Sequence, residues 1–134
     1  MPIDIGTAGV KALPRWSLLD AADRKASWRP GGLQHLALHT VTHRLYSLMH
    51  VGGAGTHKEA GTEVWVYDLA AKRRVQRIAL ADPATAITVT RDAKPVLFAI
   101  FIGAPKLDVY DPAAGKRLRS IAEIGFTPVW LVTY

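Results

Sequence analysis

Hydrophobic positions in this chain fall in short runs, and one that recurs is Val64-Trp65-Val66-Tyr67. Successive side chains of an extended strand point to opposite faces, so this run presents apolar groups to both. That suits a sheet packed between two other layers. Asp68 closes the run, where a short carboxylate accepts backbone N–H bonds from just beyond and makes a turn. The pattern returns at Leu107-Asp108-Val109-Tyr110-Asp111. Tyr67 and Tyr110 stand 43 residues apart, and the register holds from Val66/Val109 to Ile78/Ile121. The same offset lays Ala86–Thr90 over Val129–Thr133. After the second copy, Pro112 fixes φ and Gly115 is free to take the positive φ of a tight hairpin. Lys72 stands at the Gly115 position, so the first turn is expected to differ or to carry mild strain.

A period of roughly 40–45 residues built from short strands marks a β-propeller blade. The pattern predicts an irregular segment over 1–32, with a short helix over 17–27 capped by Ser17 and broken by Trp28-Arg29-Pro30-Gly31-Gly32. A partial propeller fills 33–134. Its first blade, 33–79, has strands over 33–39, 44–51, 63–68 and 73–79. Its second, 85–121, has strands over 85–90, 96–102, 106–111 and 116–121. A last strand over 127–133 begins a third blade. The fold class is thus all-β: a propeller fragment of about two four-stranded antiparallel blades plus one strand. The early strands of the two blades stand 51 residues apart rather than 43, which fits an insertion in the loop 52–62. Loops of this kind carry function more often than strands do. Two blades do not close a ring, so an uncovered apolar sheet face is expected to leave the isolated chain marginal and dye-binding.

Composition narrows the classes. A hydrophobic fraction of 49% with 21% charged residues belongs to a globular chain. No apolar run reaches the roughly 18 residues of a membrane span, and Met1-Pro2-Ile3-Asp4 does not read as a secretion signal. Cysteine is absent, which excludes disulfides and thiolate metal sites. The net charge is +6. Its basic residues gather at the two repeat hairpins (Arg73, Arg74, Arg77; Lys116, Arg117, Arg119), where they read as a solvated outer strand that discourages edge pairing. They are not interleaved with stacking aromatics, so nucleic acid is not implied.

From Trp28 onward the chain resembles the heavy (large) subunit of quinoprotein amine dehydrogenases, the methylamine and aromatic amine dehydrogenase family. The residues that carry this are Trp28-Arg29-Pro30-Gly31-Gly32 with Gln34, Arg44-Leu45-Tyr46, Gly55-Thr56-His57-Lys58, Gly61-Thr62-Glu63-Val64-Trp65-Val66 and Leu118-Arg119-Ser120. The aromatic amine branch is the nearer through the stretch from His57 to Trp65. The resemblance implies a C-terminal piece of a seven-bladed propeller. It implies a partner light (small) subunit that carries tryptophan tryptophylquinone and oxidises primary amines to aldehyde and ammonia. It further implies a blue copper electron acceptor and a periplasmic location. On that reading this chain is scaffold and docking surface and holds no cofactor itself. The other reading is a non-enzymatic propeller fragment that acts as a protein-interaction module.

Candidate chemistry within the chain is sparse. His35, His39 and His43 are four apart, but on a strand such residues sit about 13 Å apart, too far for one metal. Gly52-Gly53-Ala54-Gly55-Thr56-His57-Lys58 lacks the Gly-Lys-Ser/Thr and the following helix of a phosphate loop. No nucleophile–base constellation is readable, so no catalytic residue is assigned. His50 reads as isolated. His57 and Lys58, in the inserted loop, are the candidate partner contacts. Trp65, Trp130, Tyr67 and Tyr110 read as blade-to-blade packing, and Asp108 as a mid-strand acid without an obvious partner.

Overall fold

The computed structural model describes residues 3–6, 9–12, 14–125, 128 and 130–133. Strands β1 (Ile3–Gly6) and β2 (Gly9–Ala12) form an antiparallel hairpin. A short helix α1 (Ala21–Lys25) follows, then β3 (Trp28–Pro30). The first large sheet contains β3, β4 (Leu36–His39), β5 (Arg44–Val51), β6 (Gly61–Asp68) and β7 (Arg73–Ala84). Both β3 and β4 pair with one edge of β5, and β6 and β7 continue the meander on the other side. The second sheet is the antiparallel meander of β8 (Ala86–Val89), β9 (Leu97–Ile100), β10 (Lys106–Asp111) and β11 (Lys116–Ala122). Two stacked meanders of this kind, nearly without helix, are blades of an all-β propeller fragment.

The alternation in β6 explains the stacking. Val64 and Val66 join Tyr46, Leu48 and Ile78 in a core shared with Ile87, Val89, Leu97 and Tyr110 of the second sheet. Trp65 and Tyr67 point the other way, with Met49, into a second cluster. That cluster is covered by Trp16, Leu18, Leu19, Trp28 and Leu45. The first blade therefore has no wet face on this side, because the chain before it folds back as a strap.

The strap departs from the irregular segment expected over 1–32. Its helix is shorter than 17–27, and Asp20 rather than Ser17 is its cap. Asp23 N donates to Asp20 Oδ1 (2.8 Å) and Asp20 N donates to Asp23 Oδ2 (3.1 Å), a reciprocal capping box. Ser17 instead donates to the Leu19 carbonyl. The shift has a packing cause: Leu18 and Leu19 are drawn onto the Trp65–Tyr67 cluster, and the Tyr67 hydroxyl donates to the Leu18 carbonyl at 2.9 Å. Trp28-Arg29-Pro30, expected to break the helix, does so as a strand, with the Trp28 ring 5.1 Å from that of Trp65.

At the far end, Thr127 and Val129 of the strand expected over 127–133 lie outside the described residues. Pro128 and Trp130–Thr133 carry no strand pairing. Side chains hold this segment instead. Gln34 Nε2 donates to the Leu131 carbonyl (2.9 Å), Leu131 N donates back to Gln34 Oε1 (3.3 Å), and Thr133 Oγ1 donates to the Val89 carbonyl (2.8 Å).

The two repeat turns are built alike. Asp68 Oδ1 accepts from Ala71 N at 2.8 Å, and Asp111 Oδ1 accepts from Ala113 N and Ala114 N at 2.8 and 3.2 Å. Lys72 takes φ 52° where Gly115 takes φ 67°. The first turn thus keeps the geometry of the second and forces a lysine into the left-handed region, at a cost on the order of 1 kcal/mol. Lys72→Gly should leave the turn unchanged and raise stability by up to about 1 kcal/mol, since the glycine's extra unfolded-state freedom offsets part of the relief. Urea unfolding of the two chains checks this; a lower midpoint in the variant would contradict it.

Candidate partner-docking loop

The β5–β6 connection, 52–60, is longer than its counterpart between β9 and β10. It carries His57 and Lys58, both exposed. Its base is fixed from three directions. Gly52 N donates to the Ser27 carbonyl (3.1 Å) and Gly32 N to the His57 carbonyl (3.0 Å), which ties the loop to the strap and to the chain after β3. Arg29 Nη1 donates to the Gly53 carbonyl. The Thr56 hydroxyl donates to the same carbonyl at 2.8 Å and faces His50 Nε2 at 2.8 Å. Because that hydroxyl spends its proton on Gly53, it accepts from Nε2–H, which leaves Nδ1 as the bare ring nitrogen.

His50 Nδ1 is buried and has no hydrogen-bond partner among the described residues. It lies directly against Gly31, where a Cβ would come within 2.2 Å of Nδ1 and 2.9 Å of the Glu59 carbonyl oxygen. Burial, helped by the Arg29 charge and opposed by Glu59, lowers the pKa of His50 below the ordinary histidine value. The ring is thus a neutral strut under the loop. Its role is not readable from sequence, because its partners come from Arg29–Gly31 on one side and Gly53–Glu59 on the other. The remaining tips, His57 and Lys58, are presented outward by a loop held at both ends.

A second network sits on the outer edge of the first blade. Arg77 donates to both oxygens of Glu63 (2.7 and 2.8 Å), and Trp65 Nε1 donates to Glu63 Oε2 at 2.6 Å. Arg74 donates to Asp23 Oδ2 at 2.7 Å, with its guanidinium 4.1 Å above the Trp65 ring. Arg77 lies 4.8 Å from the Trp28 and Trp65 rings. Burial works to raise the Glu63 carboxyl, but the hydrogen bonds from Arg77 and Trp65 outweigh it and hold it below the usual range. Asp23 is held down the same way, by the Asp20 backbone and Arg74 against its burial. These arginines are therefore not merely a solvated face: they bind the strap to the blade. Among the described residues Asp108, in the second blade, is buried with Oδ1 unbonded, and Arg117 and Lys106 lie 3.6 and 3.9 Å from its carboxylate.

The three spaced histidines are not brought together. His39 is buried, with Nδ1 2.6 Å from Thr42 Oγ1 and Nε2 2.9 Å from the Asp92 carbonyl, so it links the first turns of the two blades. His43 is exposed in a turn with φ 51°, and its carbonyl accepts from Leu69 N. His35 precedes β4, and its carbonyl accepts from Leu48 N. No group of three or more His, Asp or Glu among the described residues is placed to hold a metal. No helix among them is long and apolar enough to cross a membrane. Trp65, which has a hydrogen-bonded indole N–H and cationic neighbours on its ring, serves packing.

Two substitutions test this base. Gly31→Ala should cost about 1–3 kcal/mol by overpacking, read by thermal unfolding. Protonation of His50 favours the unfolded chain, since its folded pKa lies below the unfolded one. Stability should therefore be complete above about pH 6.5 and fall as pH drops from there toward the folded pKa. His50→Gln should flatten that segment of the stability–pH curve and leave in place the acid loss from Asp23 and Glu63 below about pH 4. An unaltered curve would remove His50 from the account.

Comparison with known proteins agrees with this architecture. A family model described as methylamine dehydrogenase heavy chain (MADH) matches residues 1–134. The methylamine dehydrogenase heavy chain of Methylorubrum extorquens is 31% identical over 131 residues, 98% of this chain and 32% of that protein. That of Paracoccus versutus is 35% identical over 116 residues, 87% of this chain and 27% of that protein. The chain thus spans about a third of the length of these curated relatives. Among solved structures, Kuenenia stuttgartiensis hydrazine synthase superposes with a TM-score of 0.51 at 22% identity, over 70% of this chain and 24% of that one, a likeness of fold alone. With a match that runs through the strap as well as both blades, the chain belongs to the methylamine dehydrogenase heavy chain family.

Proposed function

We propose that this chain serves as heavy-subunit scaffold in an amine dehydrogenase, and that its chemistry takes place on another polypeptide. The partner is a light subunit that carries tryptophan tryptophylquinone. It oxidises a primary amine, methylamine in the names of the relatives, to aldehyde and ammonia. Electrons pass on to a blue copper protein in the periplasm. The observation that carries this reading is the family match over the whole chain. The geometry is compatible with it: the described residues offer packing, turns and anchored loops, and Asp23, Asp68, Asp111 and Glu63 are engaged in a cap, two turns and ion pairs.

Within this scaffold His57 and Lys58 are the docking contacts. A loop with a fixed base and an exposed tip loses little entropy on binding, which favours contact there. Co-expression of the chain with a methylamine dehydrogenase light subunit should give a complex that reduces a redox dye when methylamine is added. A His57→Ala/Lys58→Glu chain should bind the light subunit at least about tenfold more weakly, with unchanged thermal unfolding, as expected for a contact at an interface. A complex of full affinity in the double variant would remove these two residues from the contact. Capture of another protein, without amine-dependent dye reduction, would favour the interaction-module reading.

A further inference from the structure

The seam between the two blades is closed at one end and open at the other. At the closed end Ala81 N donates to the Tyr110 hydroxyl at 2.9 Å, and Lys106 pairs with Asp82. At the other end the blades part around a cavity of about 860 Å³. Pairing with the outer strand shifts at the same repeat position in each blade, between Val66 and Tyr67 and between Val109 and Tyr110. Such irregularities bend a strand and increase its local twist. Val66, Val75, Val96 and Leu118 supply apolar walls. Val75 and Leu118 are exposed, so these walls are wet.

Tyr46, Arg44 and Lys94 are among the polar residues that line this cleft. Tyr46 is 3% exposed and lines the cavity, and its hydroxyl makes no hydrogen bond among the described residues. A hydroxyl that no protein group engages is free to donate to a group held in the cavity. Arg44, two residues away on β5, also lines the cavity; one of its nitrogens pairs with Asp68 and the others remain available. Lys94, on the turn of the second blade, has no ion-pair partner among the described residues. The acid on this wall, Asp111, spends Oδ1 on Ala113 and Ala114 N–H. The lining thus includes a tyrosine hydroxyl and two cations beside an apolar trough of ligand-pocket size.

We propose that this interblade cleft is a binding site for a small organic carboxylate with an apolar body. The carboxylate accepts from the Tyr46 hydroxyl and pairs with Arg44 and Lys94. The hydrocarbon part lies along Val66, Val75, Val96 and Leu118. This site is separate from the docking loop, which lies at the opposite end of β5 and β6, so it stands or falls independently of the light-subunit reading.

Octanoate and octanol are the probes, titrated into the full chain by calorimetry and by amide chemical shifts. Octanoate should bind once per chain and shift the amides around Tyr46, Val75, Lys94 and Leu118. Octanol should bind at least about tenfold more weakly, because it lacks the charge that Arg44 and Lys94 recognise. Tyr46→Phe should weaken octanoate about tenfold and leave octanol unchanged, as for loss of a hydrogen bond to a charged group. Lys94→Glu, an exposed turn position that should not disturb folding, should weaken octanoate further and reduce its salt dependence. Equal affinity for the two probes, shifts confined to other surfaces, or full octanoate affinity in both variants would overturn the proposal.

Discussion

The structure depends on the burial of β5 and β6 on both faces. A strand with apolar side chains on each side needs two covering layers, and neither cover is optional when Trp65 and Tyr67 point one way and Val64 and Val66 the other. One cover is the second blade. The other is the strap of residues 14–28, which brings Trp16, Leu18, Leu19 and Trp28 onto the opposite face. The position of α1, the pairing of Arg74 with Asp23 and the stacking of Arg77 on two indoles all follow from seating that strap. Against the expectation of an uncovered face, on this side the chain supplies its own lid.

What was readable in the sequence was what is local. The alternation in Val64–Tyr67, the offset of 43 residues and the Asp68 and Asp111 turns all express geometry within a few residues, and all reappear in the folded chain. Lys72 shows how firmly the repeat holds, since the turn keeps its shape even with the wrong residue for it. The strap was not readable, because its conformation is decided by residues far along the chain. Ser17 has the chemistry of a helix cap, yet the pull of Leu18 and Leu19 toward Tyr67 moves the cap to Asp20. The basic run after Asp68 misled for the same reason: its acids, Glu63 and Asp23, lie on other elements.

For the candidate site the division is similar. The break in the repeat offset pointed to the loop 52–62 and so to His57 and Lys58, but not to what holds them. His50 looked isolated because nothing near it in sequence answers its ring. In space it is packed between Gly31 and Thr56. A short run of Trp28-Arg29-Pro30-Gly31-Gly32 does three jobs at once there. Trp28 stacks on the blade, Arg29 holds Gly53, and Gly31 makes room for the imidazole.

The two ends of the first blade are consequently different materials. At the Arg44–Asp68 end the turns repeat faithfully between blades, each outer pairing shifts register at the same repeat position, and a cleft opens between the blades. At the Val51–Gly61 end the repeat is broken by an insertion that is sewn to the strap through Ser27 and to the chain after β3 through Gly32. An insertion in a repeat scaffold adds side chains that no neighbouring blade duplicates, on a loop where binding surfaces often lie. An insertion left loose would lose that gain to entropy on binding. The anchoring of the 52–60 loop by a neutral buried histidine, an arginine and two glycine N–H groups therefore does more than stabilise a connection: it turns a break in the repeat into a surface with a defined shape.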